Sequence, residues 1–137
     1  MKASFRLTIL LLVLLGISAC GSAESQASSD PAAVLEALET AWNAKDLDAA
    51  MSLFAEDAVE TNGQGTFAGR DKIRGVYERF MDVFSMECGN YEVDGSKVTY
   101  ECALTSYDGR MKTGERYESV VEGGEIKSNL LVGTFTP

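Results

Sequence analysis

The apolar residues of this 137-residue chain change their period once, at Phe84. Before that point they recur at three- and four-residue intervals, the spacing of one helix face; beyond it they alternate, the spacing of one strand face. Val34, Leu38, Ala41 and Trp42 mark a first helix that begins at Asp30-Pro31. There the Asp accepts from free N–H groups and the Pro takes a position where its missing N–H costs nothing. Asp46 can cap a second, short helix with Leu47, Ala50, Met51 and Phe54 inward. Asp57 to Thr61 reads as a short extended stretch, and Gly63-Gln64-Gly65 as a turn. A third helix from Arg70 to about Phe84 carries Ile73, Val76, Tyr77, Phe80, Met81 and Phe84 on one side.

Four strands follow at about 86–93, 97–105, 113–122 and 125–132, separated by the turn signals Asp94-Gly95, Asp108-Gly109 and Gly123-Gly124. Two-residue loops at the last two sites set Tyr100 opposite Tyr117, Val98 opposite Ser119, Val121 opposite Ile126 and Ser119 opposite Ser128. Val98, Tyr100, Cys102, Leu104, Tyr117, Ser119, Val121, Ile126, Ser128 and Leu130 then share an inner face. Thr99, Glu101, Arg116, Glu118, Lys127 and Asn129 take the outer one, with Glu101 opposite Arg116. A one-residue slip would exchange the faces, so the agreement of these pairs supports the register. The expected product is an α+β domain, three N-terminal helices covering one face of a mainly antiparallel sheet.

Lys2 and Arg6 precede an apolar run from Leu7 to Ile17 that is well short of the roughly 20 residues a membrane span needs. With the small residues Ser18 and Ala19 behind it, the run reads as a secretory signal peptide over 1–19. Ile17-Ser18-Ala19-Cys20 resembles the lipobox of bacterial lipoproteins; the other readings are ordinary cleavage near Ala19 or an uncleaved anchor. The resemblance implies a lipidated Cys20 carrying more than one acyl chain, which is what stable anchoring takes. Gly21 in place of Asp favours the outer membrane, facing the periplasm, in a host with two membranes, and otherwise the outer face of the cell membrane. Residues 20–30 have no large apolar side chain and form a flexible tether, leaving 31–137 as one domain.

The whole chain carries −9, and loss of 1–19 removes two of its 12 cations and none of its 21 acids, so 10 − 21 gives −11. Nucleic acid and anionic lipid surfaces are therefore excluded as charge-driven partners. The chain has no His, which removes histidine-dependent triads and the commonest zinc ligand, and no metal or cofactor is expected.

With Cys20 assigned to lipid, Cys88 and Cys102 remain as a pair in an exported protein. A three-residue loop at Asp94-Gly95-Ser96 sets them directly opposite; a two-residue loop would leave them one position out of step, on opposite faces. A cross-strand disulfide is expected, the alternative being two buried thiols.

The segments Ala41-Trp42-Asn43-Ala44-Lys45-Asp46-Leu47-Asp48-Ala49-Ala50, Leu53-Phe54-Ala55-Glu56-Asp57-Ala58-Val59 and Phe67-Ala68-Gly69-Arg70-Asp71-Lys72-Ile73 resemble the helical half of SnoaL-like proteins, within the nuclear-transport-factor-2-like superfamily. The resemblance implies a cone-shaped fold whose curved sheet encloses a pocket, commonly in a homodimer. It does not fix an activity, since members include isomerases, cyclases, dehydratases and noncatalytic binders. The ketosteroid isomerases of the superfamily place a general-base Asp where this chain has Asn62, and an oxyanion-donating Tyr where it has Leu38. Neither replacement can perform the corresponding step.

Trp42, Phe54, Asn62, Tyr77, Phe80, Tyr100 and Tyr117 are candidate pocket residues, with Ser119 and Ser128 as two facing hydroxyls. Asp57, Tyr77 and Tyr100 are the candidate acids or bases, Asp57 being read on the same side as Val59. Glu56, Asp57 and Glu60 lack the alternating pattern of a calcium loop and read as a solvated cluster, as do Arg70, Lys72 and Arg74. These features describe a membrane-tethered, noncatalytic domain that binds a small apolar ligand or a protein partner. The alternative is an enzyme of isomerase, cyclase or dehydratase type acting on a small hydrophobic substrate.

Overall fold

The computed structural model describes residues 30–137. The expected signal segment, Cys20 and the expected tether as far as residue 29 lie outside the described residues. Both predicted caps form: Asp30 accepts from Ala32 N–H at the start of α1 (Pro31–Asn43), and Asp46 accepts from Ala49 N–H at the start of α2 (Leu47–Ser52), each at 3.0 Å. Val34, Leu35, Leu38, Ala41 and Trp42 of α1 are buried together, as their spacing requires.

The three helices are not consecutive. After α2 the chain enters β1 (Phe54–Asn62), turns through Gly63-Gln64 into β2 (Gly65–Ala68), and only then forms α3 (Arg70–Phe80). Phe54, expected at the end of the second helix, instead begins β1 and is fully buried there. Gly69, at φ +94°, makes the corner into α3, and its N–H donates to Ala58 O at 2.8 Å. The third helix also stops earlier than expected. Met81 closes it, and Phe84 is the first residue of β3 (Phe84–Asp94), held beside Phe80 by ring stacking at 6.1 Å.

Strands β3, β4 (Lys97–Ser106), β5 (Lys112–Glu122) and β6 (Glu125–Phe135) form a meander. The sheet order is β2-β1-β6-β5-β4-β3, antiparallel throughout except for the parallel pairing of β1 with β6, so the sheet is mixed. The predicted pairs Tyr100–Tyr117, Val98–Ser119, Glu101–Arg116 and Val121–Ile126 are all observed. The β4–β5 connection is longer than expected, Tyr107 to Arg110, but keeps the same register.

Two bulges correct the remaining pairs. Cys88 stands opposite Cys102 and the two are disulfide-bonded, yet the hairpin turn is the two-residue Gly95-Ser96. An extra residue between Gly89 and Glu92, where Asn90 adopts φ 55°, restores the alignment that such a turn alone would lose. A second bulge between Val120 and Val121 moves Ser119 from its expected partner Ser128 to Asn129. Asn129 thereby faces the core, while Leu130 is exposed.

Helix α1 is fastened to the edge strand β3 by hydrogen bonds as well as packing. Trp42 Nε1–H donates to Phe84 O at 2.8 Å; the Asn43 amide donates to Met86 O at 2.6 Å and accepts from Met86 N–H at 2.9 Å. On the other side Arg70, expected in solvent, grips Phe54 O with Nε and a terminal nitrogen at 3.0 and 2.6 Å. That contact occupies a carbonyl just before β1 breaks step with β6.

Candidate functional site

Between the helices and the inner face of the sheet lies a cavity of about 170 Å³. A void of about 150 Å³ takes a benzene-sized ring, so this one has room for a small organic molecule. Trp42 of α1, Tyr77 and Phe80 of α3, Phe84 of β3, Tyr100 of β4 and Tyr117 of β5 contribute its aromatic lining. Cys88 and Cys102 also line it, which puts the disulfide in the wall. Tyr91, Tyr100 and Tyr117 stack in a row across β3, β4 and β5, with centroids 5.6 and 5.5 Å apart.

One end of this space is polar, and Glu60 is at its centre. Side chains of Ala58, Glu60 and Asn62 share the inward face of β1, so the strand delivers a carboxyl that is only 4% exposed. Tyr77 OH donates to Glu60 Oε2 at 3.1 Å, Asn62 Nδ2 to Oε1 at 3.3 Å and Asn129 Nδ2 to Oε2 at 3.5 Å. Burial pushes the Glu60 carboxyl above the usual carboxylate range, although its three donors pull the other way; the nearby Glu115 adds to the rise. Burial, then the charge of Glu60, drives the Tyr77 hydroxyl well above its ordinary value.

Asn129 links this cluster to the sheet. Its Oδ1 accepts from Ser119 Oγ at 2.6 Å and from Tyr100 OH at 3.0 Å. Burial raises Tyr100 and Tyr117 alike; Tyr117 donates to Glu115, whose charge raises it further. Every one of the three tyrosine hydroxyls in the cavity thus donates to a named acceptor of the protein.

Of the residues expected in a pocket, Trp42, Asn62, Tyr77, Phe80, Tyr100 and Tyr117 line this one. Phe54 does not: it packs edge-on against Tyr77 at 5.5 Å as part of the solid core. Ser119 is fully buried behind the lining as a donor to Asn129, and the bulge in β5–β6 takes Ser128 out of line with it. Asp57 is exposed on the opposite side of β1, so it cannot act in the cavity; from Ala58 onward the even-numbered residues of this strand face inward, not the side Asp57 shares with Val59. For the same reason Glu60 leaves the expected solvated cluster and becomes the buried acid. Leu38 lines the cavity along with Asn62, so both positions carried over from the isomerases face the site, without groups that transfer protons. Among the described residues no set of three or more His, Cys, Asp or Glu is arranged to hold a metal ion.

A family model described as a SnoaL-like domain matches residues 34–125. No curated protein matches the chain. Among solved structures, an NTF2-like protein of unknown function from Cytophaga hutchinsonii superposes with a TM-score of 0.67 at 17% identity, covering 74% of this chain and 88% of that one. A candidate polyketide cyclase from Sinorhizobium meliloti gives 0.65 at 20% identity, over 72% and 93%. A protein of ketosteroid isomerase-like fold from Catenulispora acidiphila, described in complex with trimethylamine, gives 0.62 at 21% identity, over 73% and 84%. At such identities the likeness is one of fold: an NTF2-like α+β architecture with a curved mixed sheet.

Proposed function

We propose that this chain, which belongs to the SnoaL-like domain family, binds a small, largely apolar molecule in its cavity without transforming it, and does so while tethered to a membrane through lipid on Cys20. The observation that carries the reading is the division of the cavity into aromatic walls and one hydrogen-bonded end at Glu60, Asn62 and Asn129. Such a shape holds a ligand by area and orients it by a few polar atoms. Leu38 and Asn62 are inert in the positions where isomerases of this superfamily act, and the tyrosine hydroxyl protons are already committed. The homodimer common in the superfamily belongs to the same reading, and sedimentation at micromolar concentration tests it.

Trp42 is the single tryptophan and lines the cavity, so its emission reports on occupancy. Titration with phenol and cyclohexanol should change Trp42 emission in the native protein and not in a Leu38→Phe variant whose side chain fills the space. Equal responses from the two proteins would overturn the pocket reading. Tethering is tested separately: Cys20→Ala should leave the membrane fraction, and its retention there would refute the anchor.

A second reading, proton transfer by Glu60, is favoured by the burial that raises its carboxyl. It requires that cyclopentanone exchange its α-protons with D2O faster in the presence of the native protein than of Glu60→Gln. Equal rates support binding without chemistry.

A further inference from the structure

We infer that the occupant of the cavity is a small organic cation, an alkylated ammonium group of about the size of tetramethylammonium. This rests on the binding reading above and specifies the ligand it takes. Two carboxyl side chains, Glu60 and Glu115, line the cavity, and among the described residues no Lys or Arg does. The ion pairs of the domain are made elsewhere: Lys45 with Asp82, Arg74 with Asp48, Lys97 with Glu118, Arg110 with Asp108, Arg116 with Glu101 and Lys127 with Glu125. Neither cavity carboxyl takes part in any of them. A buried acid that lacks a protein counter-ion is costly as an anion, and a ligand cation removes that cost.

The hydrogen-bond directions lead to the same class of ligand. Tyr77 OH is given to Glu60, Tyr100 OH to Asn129 and Tyr117 OH to Glu115, while the Asn62 and Asn129 amides donate to Glu60. The three tyrosine hydroxyls, each with a single proton, are therefore committed, and the polar end presents carboxylate oxygens. An anion is opposed by the two carboxyls, and the second N–H left on each Asn amide carries no charge to balance one; an alkylammonium ion needs no donor. Its methyl groups suit the apolar and aromatic walls, and aromatic rings attract a cation placed over their faces. The volume, about 170 Å³, admits an ion of that size.

The test compares tetramethylammonium chloride with tert-butanol, a neutral probe of similar size, at constant ionic strength, with Trp42 emission and calorimetry as readouts. The native protein should bind the cation at least tenfold more tightly than the alcohol. Glu60→Gln and Glu115→Gln should each lower the ratio of cation to alcohol affinity about tenfold. Glu115 is only partly buried, so its variant decides the matter even if the other fails to fold. Equal affinity for the two probes, or preference for the alcohol, would overturn the cation while leaving the pocket reading intact. Failure of both probes to bind would overturn the two together.

Discussion

Replacing Glu60 with Gln keeps the shape of the side chain and its acceptor for Tyr77, but removes its titration. The native carboxyl has a raised value in the folded state, burial being the main cause. Between the unfolded value, about 4.3, and the raised one, the folded protein therefore holds more protons than the unfolded chain. Stability must fall as pH rises through that window, by up to about 1.4 kcal/mol per pH unit for one group, and level off above it. The variant has no such term. Urea unfolding of both proteins at half-unit steps from pH 4 to 8 gives the difference curve, in which shared groups such as Glu39, also raised by burial, cancel. The expected curve favours the variant increasingly with pH and then becomes flat, its height measuring the shift. A difference that is constant with pH, or that favours the native protein as pH rises, would refute the claim that Glu60 is buried without a compensating cation.

Reducing the Cys88–Cys102 disulfide opens a closed loop spanning a separation of 14 residues. The chain-entropy model gives a loss of about 3 kcal/mol, on the order of 10 °C in Tm, readable by calorimetry with and without reductant. Asn43→Ala removes both bonds to Met86 and should cost about 1–2 kcal/mol, with faster hydrogen exchange at the Met86 amide than anywhere else in β3. A Cβ at Gly114 would stand 2.5 Å from atoms of the Phe135 ring, so Gly114→Ala must displace that ring. A loss of about 1 kcal/mol is expected in urea unfolding, and adding Phe135→Ala should make the two changes less than additive.

Much of the domain was legible because its information is periodic. The change of spacing at Phe84 located the meander, and Tyr100 with Tyr117 and Val98 with Ser119 followed from the register, whereas Cys88 meets Cys102 through a two-residue turn and a bulge in place of the expected three-residue loop. What escaped were insertions of single residues, since a bulge leaves no mark in composition. One in β3 and one between β5 and β6 hid the true hairpin turn and the inward turn of Asn129. Glu60 was missed by parity alone. Asn62 was already placed at the site by resemblance, and strand alternation puts the residue two before it on the same face. That single step would have exchanged exposed Asp57 for the acid that lines the cavity.

The bulges also decide how much room the domain contains. Between the pairs Glu122–Glu125 and Gly114–Phe135, β5 advances eight residues (122 − 114) and β6 ten (135 − 125). Two additional residues at about 3.3 Å each give β6 roughly 7 Å of surplus contour over its neighbour. Adjacent ribbons of unequal length joined at both ends cannot lie flat; the longer must bow, as the outer lane of a bend does. The hollow under the sheet is thus written into the chain as a difference in arc length. Shortening β6 by a residue would draw the roof down before any wall residue had been changed.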